Sequence, residues 1–309
     1  MSERIVVIGS CNTDMVINTE RLPRPGETII GGNFFMNAGG KGANQAVAAA
    51  RLGGNVCFVA KVGNDHFGSH SIEQYKAEGI DVEQISIENE LPSGVALIMV
   101  DNKGENCISV ASGANSLLAP KDIDKAEGMI THGDIVLMQL ETPIETVEYA
   151  ARIANEKGKK VILNPAPALP LPDALFEELY MIIANETEAE FFSGVKITDM
   201  DSVCRAADII SNKGVDNVVI TLGSKGAFVK ENGAYHKVPS IKVKAVDATA
   251  AGDTFCGAVC VALAEKKDIL EAVEFANRCA AVTVTRMGAQ SSLPYREEVE
   301  KDFFVEQHK

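Results

Sequence analysis

Short apolar runs rich in valine and isoleucine alternate with longer amphipathic stretches through most of this chain of 309 residues. Six runs are predicted to be strands, and they are apolar along most of their length rather than at every second position: 5–9, 56–62, 135–140, 160–164, 180–185 and 217–222. Strands buried on both faces show this pattern, and they belong to parallel sheets covered by helices. The alternation therefore predicts an α/β fold built from βαβ units.

Two segments interrupt the alternation. Residues 13–38 are rich in turn-forming residues, and residues 93–112 read as a hairpin with strands at 95–100 and 106–110. We expect the two segments, about 13–38 and 91–112, to pair as a small β lid on a single domain of residues 1–309. A further turn at 231–233 predicts an antiparallel edge on the main sheet.

Several helix ends are marked by capping signals. Residues 142–145, Thr-Pro-Ile-Glu, and residues 268–271, Asp-Ile-Leu-Glu, both have the pattern of a capping box. We expect the first helix to end near Gly158 and the second near Val284.

The charge balance limits the partners of the chain. There are 29 Lys and Arg against 43 Asp and Glu, a formal net charge of −14. Because nucleic-acid binding needs a basic surface, nucleic acid is not expected as a partner. No apolar stretch is long enough for a membrane span or a signal peptide, which predicts a cytoplasmic protein. The seven cysteines show no metal-ligand spacing and are expected to be reduced and mostly buried.

The strongest candidate for chemistry lies between residues 241 and 264. An alternating segment at 241–246 predicts a strand, and it leads through small residues into the apolar helix 256–264. The N–H groups at such a turn, together with the helix dipole, form an anion site. Asp253 lies in the first turn of this helix, where it could be a capping carboxylate or a base beside a bound phosphoryl group.

A glycine-rich loop at 37–45, Asn-Ala-Gly-Gly-Lys-Gly-Ala-Asn-Gln, opens an alanine-rich helix at 42–52. It lacks the Ser or Thr that follows Gly-Lys in a Walker loop, and it does not match G-x-G-x-x-G. A P-loop NTPase and a Rossmann dehydrogenase are therefore disfavoured.

Polar residues also gather at the carboxyl ends of predicted strands, where open α/β sheets bind ligands. They are Asn12, Asp14, Glu141, Asn185, Glu188 and residues 221–226.

Taken together, these segments resemble the ribokinase-like family of carbohydrate kinases. The resemblance runs from Val6 to Arg296 in the family's order. It rests on GSCNTD at 9–14, GGKGANQA at 39–46, MQLE at 138–141, NPAP at 164–167, NETE at 185–188, TLGSKG at 221–226, AAGDTF at 250–255 and TRMGAQ at 285–290. It implies a three-layer α/β/α domain with a mostly parallel central sheet and a small β-sheet lid.

The resemblance implies ATP-dependent phosphorylation of D-ribose at O5. Asp253 would be the base, and the backbone amides of Ala250, Ala251, Gly252 and Asp253 would form the anion hole. The sugar would be bound by Asn12, Asp14, Gly39, Gly40, Lys41, Asn44, Glu141 and Asp253.

The resemblance also implies a nucleotide site and two cations. ATP would be bound by Asn185, Thr221, Leu222, Gly223, Ser224, Lys225, Gly226, Gly252 and Asn277. Asn185 and Glu188 would help to place Mg²⁺ through water. An activating K⁺ would lie among Asp247, Thr249, Thr283, Arg286, Gly288 and Ser292.

The chain departs from the family pattern Asp-Thr-x-Gly-Ala-Gly-Asp at two positions. Ala248 stands where the family has Thr, so a hydroxyl is missing, and Ala250 stands where it has the first Gly. A methyl group at 250 is expected to fit if the backbone φ there is negative.

The sequence leaves alternatives open: a kinase for another sugar such as fructose, a kinase for a nucleoside such as adenosine, or a sugar-binding protein without catalysis. The resemblance further implies a homodimer in which the lids of two copies clasp each other.

Overall fold

A nine-stranded, mostly parallel sheet forms the centre of the molecule. The computed structural model describes residues 3–300. The sheet contains β1 (Arg4–Ile8), β4 (Asn55–Gly63), β5 (Ile85–Glu88), β8 (Ile135–Met138), β9 (Lys160–Leu163), β10 (Met181–Asn185), β11 (Asn217–Thr221), β12 (Ala227–Glu231) and β13 (Ala234–Val238), in the spatial order β13-β12-β11-β10-β9-β8-β1-β4-β5. Only β12 and β13 run antiparallel to their neighbours, as the turn at 231–233 predicted.

Helices cover both faces of this sheet. They are α1 (Lys41–Arg51), α2 (His66–Ala77), α3 (Pro120–His132), α4 (Ile144–Glu156), α5 (Asp173–Glu177), α6 (Glu186–Ser193), α7 (Met200–Ser211), α8 (Ala251–Ala264), α9 (Ile269–Thr283) and α10 (Arg296–Glu300). One buried core lies between the sheet and the helices α1, α2, α8 and α9, and a second lies between the sheet and α3 to α7. Successive residues of the inner strands alternate between the two cores. The three-layer α/β/α fold is therefore confirmed.

A second sheet of four strands projects from the first. It contains β2 (Asn12–Asn18), β3 (Asn33–Gly39), β6 (Gly94–Val100) and β7 (Asn106–Ala111), in the order β3-β2-β6-β7. The segments 13–38 and 91–112 do pair, because β2 runs parallel to β6. We call these four strands the lid sheet. The predicted single domain of residues 1–309 extends past the described residues at both ends.

The predicted strand at 241–246 is wrong. This segment is irregular, and the N–H groups of Val246 and Asp247 donate to the carbonyl oxygen of Val284 at the end of α9. The last strand of the sheet ends at Val238, so no neighbouring strand pairs with the alternating segment.

The two predicted capping boxes differ in outcome. The box of Asp268 and Glu271 is present at the start of α9. The box at Thr142 is absent, because Pro143 takes the N-cap position and the Thr142 hydroxyl has no hydrogen-bond partner among the described residues. The helices themselves end where expected, α4 at Glu156 and α9 at Thr283.

All seven cysteines are free thiols, and five of them are buried. Between residues 3 and 300, the structure contains no helix with the length and hydropathy needed to span a membrane.

Candidate active site

Two cavities meet at the N-terminus of α8. A large cavity of about 770 Å³ and a small one of about 210 Å³ share Gly252, Asn185 and Thr221 in their walls. Lys41, Glu188 and Asp253 also line the small cavity. The floor of both cavities lies beyond the carboxyl ends of β10 and β11, where ligands bind in open α/β sheets.

The first turn of α8 carries free backbone donors. The N–H groups of Gly252 and Asp253 have no acceptor within residues 3–300, whereas that of Ala251 donates to the Ala248 carbonyl oxygen at 3.2 Å. Of the four amides from Ala250 to Asp253 that are expected to form the anion hole, that of Ala251 therefore already has an acceptor within the protein. A Cβ added at Gly252 would meet open space, so an anion can approach the backbone closely there.

Ala250 precedes this turn as the N-cap of α8, with a φ of 59° in the left-handed region. The condition under which a methyl group was expected to fit at residue 250, a negative φ, is therefore not met. An L-residue with a Cβ is strained there, and glycine would not be. The two free N–H groups of α8, those of Gly252 and Asp253, follow this residue directly after Ala251.

Asp253 is buried, and two amides fix its carboxylate. Asn44 Nδ2 donates to Asp253 Oδ2 and Gln45 Nε2 donates to Asp253 Oδ1, each at 3.0 Å. Both amides lie on α1, which packs against α8. The glycine-rich loop that begins α1 thus serves the carboxylate on α8, although the two segments are two hundred residues apart in sequence.

Asn12 and Asp14 lie on β2, the lid-sheet strand that leaves the end of β1. The Asp14 carboxylate occupies the space in which a Cβ of Gly39 would lie, so residue 39 must be glycine for Asp14 to keep this position. Asn115 donates from Nδ2 to Asn12 Oδ1 at 2.8 Å and exchanges two hydrogen bonds with the backbone of Cys11. Sequence analysis missed Asn115, because it lies in a 3₁₀ turn and belongs to none of the motifs.

Acidic groups crowd the region between the lid sheet and α8. Burial, together with the charges of Glu141 and Asp253, raises the pKa of Asp14 to about 6. Burial alone would lower the pKa of Lys41, but the nearby carboxylates of Asp253, Glu141 and Glu188 outweigh it and hold that pKa above its ordinary value. Lys41 is therefore a cation placed among several carboxylates.

Glu141 ties the glycine-rich loop to the end of β8. Its Oε2 accepts from the Lys41 backbone N–H at 2.9 Å and from the Ser10 hydroxyl at 2.5 Å. Gly40 precedes Lys41 with a φ of 88°, a conformation that favours glycine. Of the eight predicted sugar-site residues, Lys41 and Asp253 line the small cavity, and Asn12 and Glu141 line a further cavity of about 350 Å³.

The large cavity contains most of the predicted nucleotide-site residues. Asn185, Thr221, Gly223, Ser224, Gly226, Gly252 and Asn277 all line it. The side chains of the other two predicted residues lie outside its wall: Leu222 belongs to the second core, and Lys225 forms an ion pair at 3.4 Å with Glu186, which lines the cavity.

Sequence analysis also missed the apolar walls of the large cavity. They come from Ile241, Val243, Ala245, Phe255, Ala280, Ala281 and Val284. The alternation at 241–246 places Ile241, Val243 and Ala245 on one side of the segment, and that side faces the large cavity instead of a neighbouring layer.

Asn185 and Glu188 form a capping box at the start of α6. Asn185 Oδ1 accepts from the Glu188 N–H at 2.8 Å, and the two Glu188 oxygens accept from the backbone and side-chain N–H groups of Asn185, both at 2.9 Å. Burial raises the pKa of Glu188. Because both side chains line a cavity, their oxygens fit the role of holding the water ligands of Mg²⁺.

The predicted K⁺ set comes together in part. The Asp247 carboxylate accepts from the Thr249 N–H at 2.9 Å, from the Thr249 hydroxyl at 2.7 Å and from the Gly288 N–H at 2.9 Å. These bonds join the loop before α8 to the loop after α9. Within residues 3–300 there is no cluster of three or more His, Cys, Asp and Glu side chains suited to a metal ion.

Other side chains of the K⁺ set are committed elsewhere. The Arg286 guanidinium pairs with Glu298 at 2.6 Å, the Thr283 hydroxyl is hydrogen bonded to that of Thr254, and the Ser292 hydroxyl donates to a backbone carbonyl. A monovalent cation at this place would therefore depend on backbone carbonyl oxygens more than on these side chains.

Comparison with known proteins agrees with this architecture. The family model described as pfkB family carbohydrate kinase matches residues 2–296. The chain is 46% identical to a ribokinase of Haemophilus influenzae over 298 residues, which is 96% of this chain and 97% of the relative. It is 37% identical to a deoxyribokinase of Salmonella typhimurium over 291 residues, 94% and 95% of the two chains.

One solved structure has a similar fold over nearly its whole length. The structure of an Arabidopsis thaliana ribokinase complexed with ribose and ATP has a TM-score of 0.91 and 32% identity, and it covers 97% of this chain and 98% of its own. The chain therefore belongs to the pfkB family of carbohydrate kinases.

Proposed function

We propose that this chain transfers the γ-phosphoryl group of ATP to O5 of D-ribose. The position of Asp253 carries the proposal, because its carboxylate lies where the polar sugar pocket meets the free N–H groups of α8. Ribose is proposed as the sugar because two of the relatives are ribokinases.

Asp253 acts as the base toward the attacking hydroxyl. Phosphoryl transfer passes through a loose transition state in which little proton removal precedes attack, so a carboxylate can serve if it orients the hydroxyl. The N–H groups of Gly252 and Asp253 would then bind the charge on the transferring phosphoryl oxygens. Position and backbone donors supply the catalysis here.

The sugar is recognised by neutral amides and carboxylates. Asn12, Asp14 and Glu141 offer acceptors that fit the hydroxyl groups of an uncharged polyol. Asn44 Oδ1 is buried without a hydrogen-bond partner within the described chain, and a sugar hydroxyl would satisfy it.

ATP would lie in the large cavity, with its base between the apolar walls and its phosphates toward Gly252. Asn185 and Glu188 would hold water ligands of Mg²⁺, which when bound neutralises charge on the β- and γ-phosphates. K⁺ would be bound chiefly by carbonyl oxygens, and it would be surrounded by the residues Asp247, Thr249, Thr283, Arg286, Gly288 and Ser292.

The test is phosphate transfer from ATP to a panel of acceptors: ribose, 2-deoxyribose, fructose and adenosine, each with K⁺ or with Na⁺ alone. We expect ribose to give the highest kcat/KM, and K⁺ to raise it. A higher value for 2-deoxyribose would favour the second candidate, a deoxyribose kinase, which the 37% identical deoxyribokinase supports. Binding of ribose without any transfer would contradict both.

We further propose that two copies pair through their lid sheets. Phe34, Met36 and Leu97 lie on one face of the lid sheet and are between 53% and 61% exposed. An exposed apolar patch of this kind marks a protein interface. A dimer is expected in analytical ultracentrifugation at micromolar concentration, and Leu97→Glu should shift it toward monomer. A monomeric unmodified chain would contradict this pairing.

A further inference from the structure

A chain of buried side-chain amides extends from the end of β8 to Asp253. Gln139, Gln45 and Asn164 form it, and Gln45 lies in the middle. Gln139 and Gln45 are fully buried and Asn164 is 9% exposed. Polar side chains placed in an apolar core lower the stability of the fold unless they are hydrogen bonded.

A backbone carbonyl group determines which way the side-chain amides of Asn164, Gln45 and Gln139 are turned. Asn164 Nδ2 donates to the Ile183 carbonyl oxygen at 2.9 Å, and a carbonyl can only accept. Asn164 Oδ1 therefore faces Gln45 and needs a donor, which Gln45 Nε2 supplies at 3.0 Å. The orientation of the Gln45 amide follows from this one anchor.

The opposite end of the Gln45 amide is also hydrogen bonded. Gln45 Oε1 accepts from Gln139 Nε2 at 2.6 Å, so the amide of Gln45 cannot turn over without placing two donors, or two acceptors, face to face. Gln139 Oε1 is left buried with no partner in the described chain. The core thus tolerates one unsatisfied acceptor to keep Gln45 Nε2 aimed at its two acceptors.

The second acceptor of Gln45 Nε2 is Asp253 Oδ1, at 3.0 Å. Asn44 Nδ2 takes the other carboxylate oxygen, so one amide holds each oxygen of Asp253. A carboxylate has about four acceptor sites, and two remain for the substrate hydroxyl. The helices approach closely at this point, because a Cβ added at Gly257 of α8 would lie 2.9 Å from the Gln45 carbonyl oxygen.

We propose that Gln45 is a positioning residue for Asp253, and that Gln139 and Asn164 act through it by fixing the direction of its amide. The proposal rests on the function proposed above for Asp253. Gln45 touches neither substrate in this account; it sets the plane and rotamer of the carboxylate that orients the attacking hydroxyl. A displacement of about 1 Å in such a group costs about 100-fold in rate.

The principal test compares Gln45→Met with the unmodified enzyme. Methionine keeps the volume and removes both N–H donors, so we expect kcat to fall about 30- to 100-fold while KM for sugar and for ATP stays within about threefold. Gln45→Glu, which is isosteric, should lose activity to a similar degree because it brings a second carboxylate against Asp253. A kcat within threefold of the unmodified enzyme in both variants overturns the proposal.

Thr146→Val is the matched control for loss of a buried hydrogen bond. The Thr146 hydroxyl is buried and donates to the Leu118 carbonyl oxygen at 2.7 Å, on the far side of the sheet from α1 and α8. It should lower Tm and leave kcat unchanged. If this variant loses kcat in proportion to Tm as Gln45→Met does, the role of Gln45 is only structural and the proposal fails.

Gln139→Met tests the same idea without changing Asp253 or either amide bonded to it. It frees one end of the Gln45 amide, and we expect kcat to fall about three- to tenfold with little change in either KM. This variant carries the test if Gln45→Met does not fold. An unchanged kcat in Gln139→Met then overturns the proposed relay.

Failure of the proposed function would be visible separately. If the unmodified enzyme phosphorylates another acceptor from the panel and not ribose, the same variants are measured with that acceptor. If it phosphorylates none, crystal structures of the unmodified enzyme and of Gln139→Met decide, since the proposal requires the Asp253 rotamer to change.

Discussion

The protein groups on the two sides of Asp253 differ in chemical character. Toward the lid sheet the pocket presents charged and amide side chains, several of them buried, and its carboxylates are close enough to shift the pKa values of Asp14 and Lys41. Toward the large cavity, apolar side chains and the free N–H groups of the α8 N-terminus form much of the wall, beside polar residues such as Asn185 and Asn277. Under the proposed function, side chains would recognise the sugar, and apolar walls and backbone donors would hold most of the nucleotide, so changes on the two sides should affect different kinetic constants.

Asp253→Asn changes the residue that lies between the two sides, and it should have the largest effect on activity. Asparagine keeps the shape and cannot accept the proton, so kcat should fall by about 10³-fold or more. ATP affinity, measured by calorimetry, should stay within a few-fold because the backbone donors are unchanged. An unaltered kcat would remove Asp253 from the mechanism.

Asp14→Asn tests the charged side through stability. Burial and two carboxylates raise the folded-state pKa of Asp14 from 3.8 to about 6, so ionisation of Asp14 disfavours the folded state as pH rises between these values. Wild-type stability therefore drops relative to the variant from about pH 4 to pH 6. Above that window Asp14→Asn should be more stable by at most about 3 kcal/mol.

The pH series has a clear contrary outcome. Chemical unfolding of both proteins at pH 4 and pH 8 measures the difference, and an equal difference at the two pH values contradicts the raised pKa. The variant should also bind sugar more weakly, because it loses a carboxylate acceptor.

Gly252→Ala tests the backbone side. The added methyl group meets no protein atom but projects toward the phosphates, so kcat/KM for ATP should fall about 100-fold while ribose affinity stays the same. Gly128→Ala is the control, since Gly128 is also helical with open space around it. Both variants should gain roughly 0.5–1 kcal/mol of stability, and only Gly252→Ala should lose activity.

Ala250→Gly should have the smallest effect. A left-handed φ costs an L-residue about 1–2 kcal/mol, and the greater freedom of glycine in the unfolded chain returns part of it, so a net gain of roughly 0.5–1 kcal/mol is expected. Ala251→Gly, at the next position, should lose stability instead. Thermal unfolding of the pair decides, and a loss of stability in Ala250→Gly would contradict the strain at this N-cap.

Sequence patterns anticipated the polar side better than the apolar side. Asn12, Asp14 and Glu141 follow strands whose apolar runs are unmistakable, so their meeting at one sheet edge could be expected. The segment 241–246 also alternates, but alternation records only that one side is buried. Here that side faces a cavity, and the backbone bonds to the end of α9 instead of a strand.

Backbone conformation and amide direction were beyond sequence reasoning. Nothing in the letters Ala-Ala-Gly-Asp gives the sign of φ at Ala250, since it depends on how α8 packs against α1 and α9. Gln45 and Gln139 were visible within motifs, but their hydrogen bonds join segments 94 residues apart and follow from tertiary packing alone.

Under the proposed function, the placement of Asn12 and Asp14 on a lid-sheet strand would make the sugar a link between two sheets. Its other contacts would come from α1 and α8, so one small molecule would tie the four-stranded sheet to the nine-stranded body. Ligand binding stabilises whatever must be folded to bind it. Without sugar, the lid sheet is expected to open locally, so its amide hydrogens should exchange faster than those of the core. With sugar bound, the lid amides should exchange as slowly as the core amides.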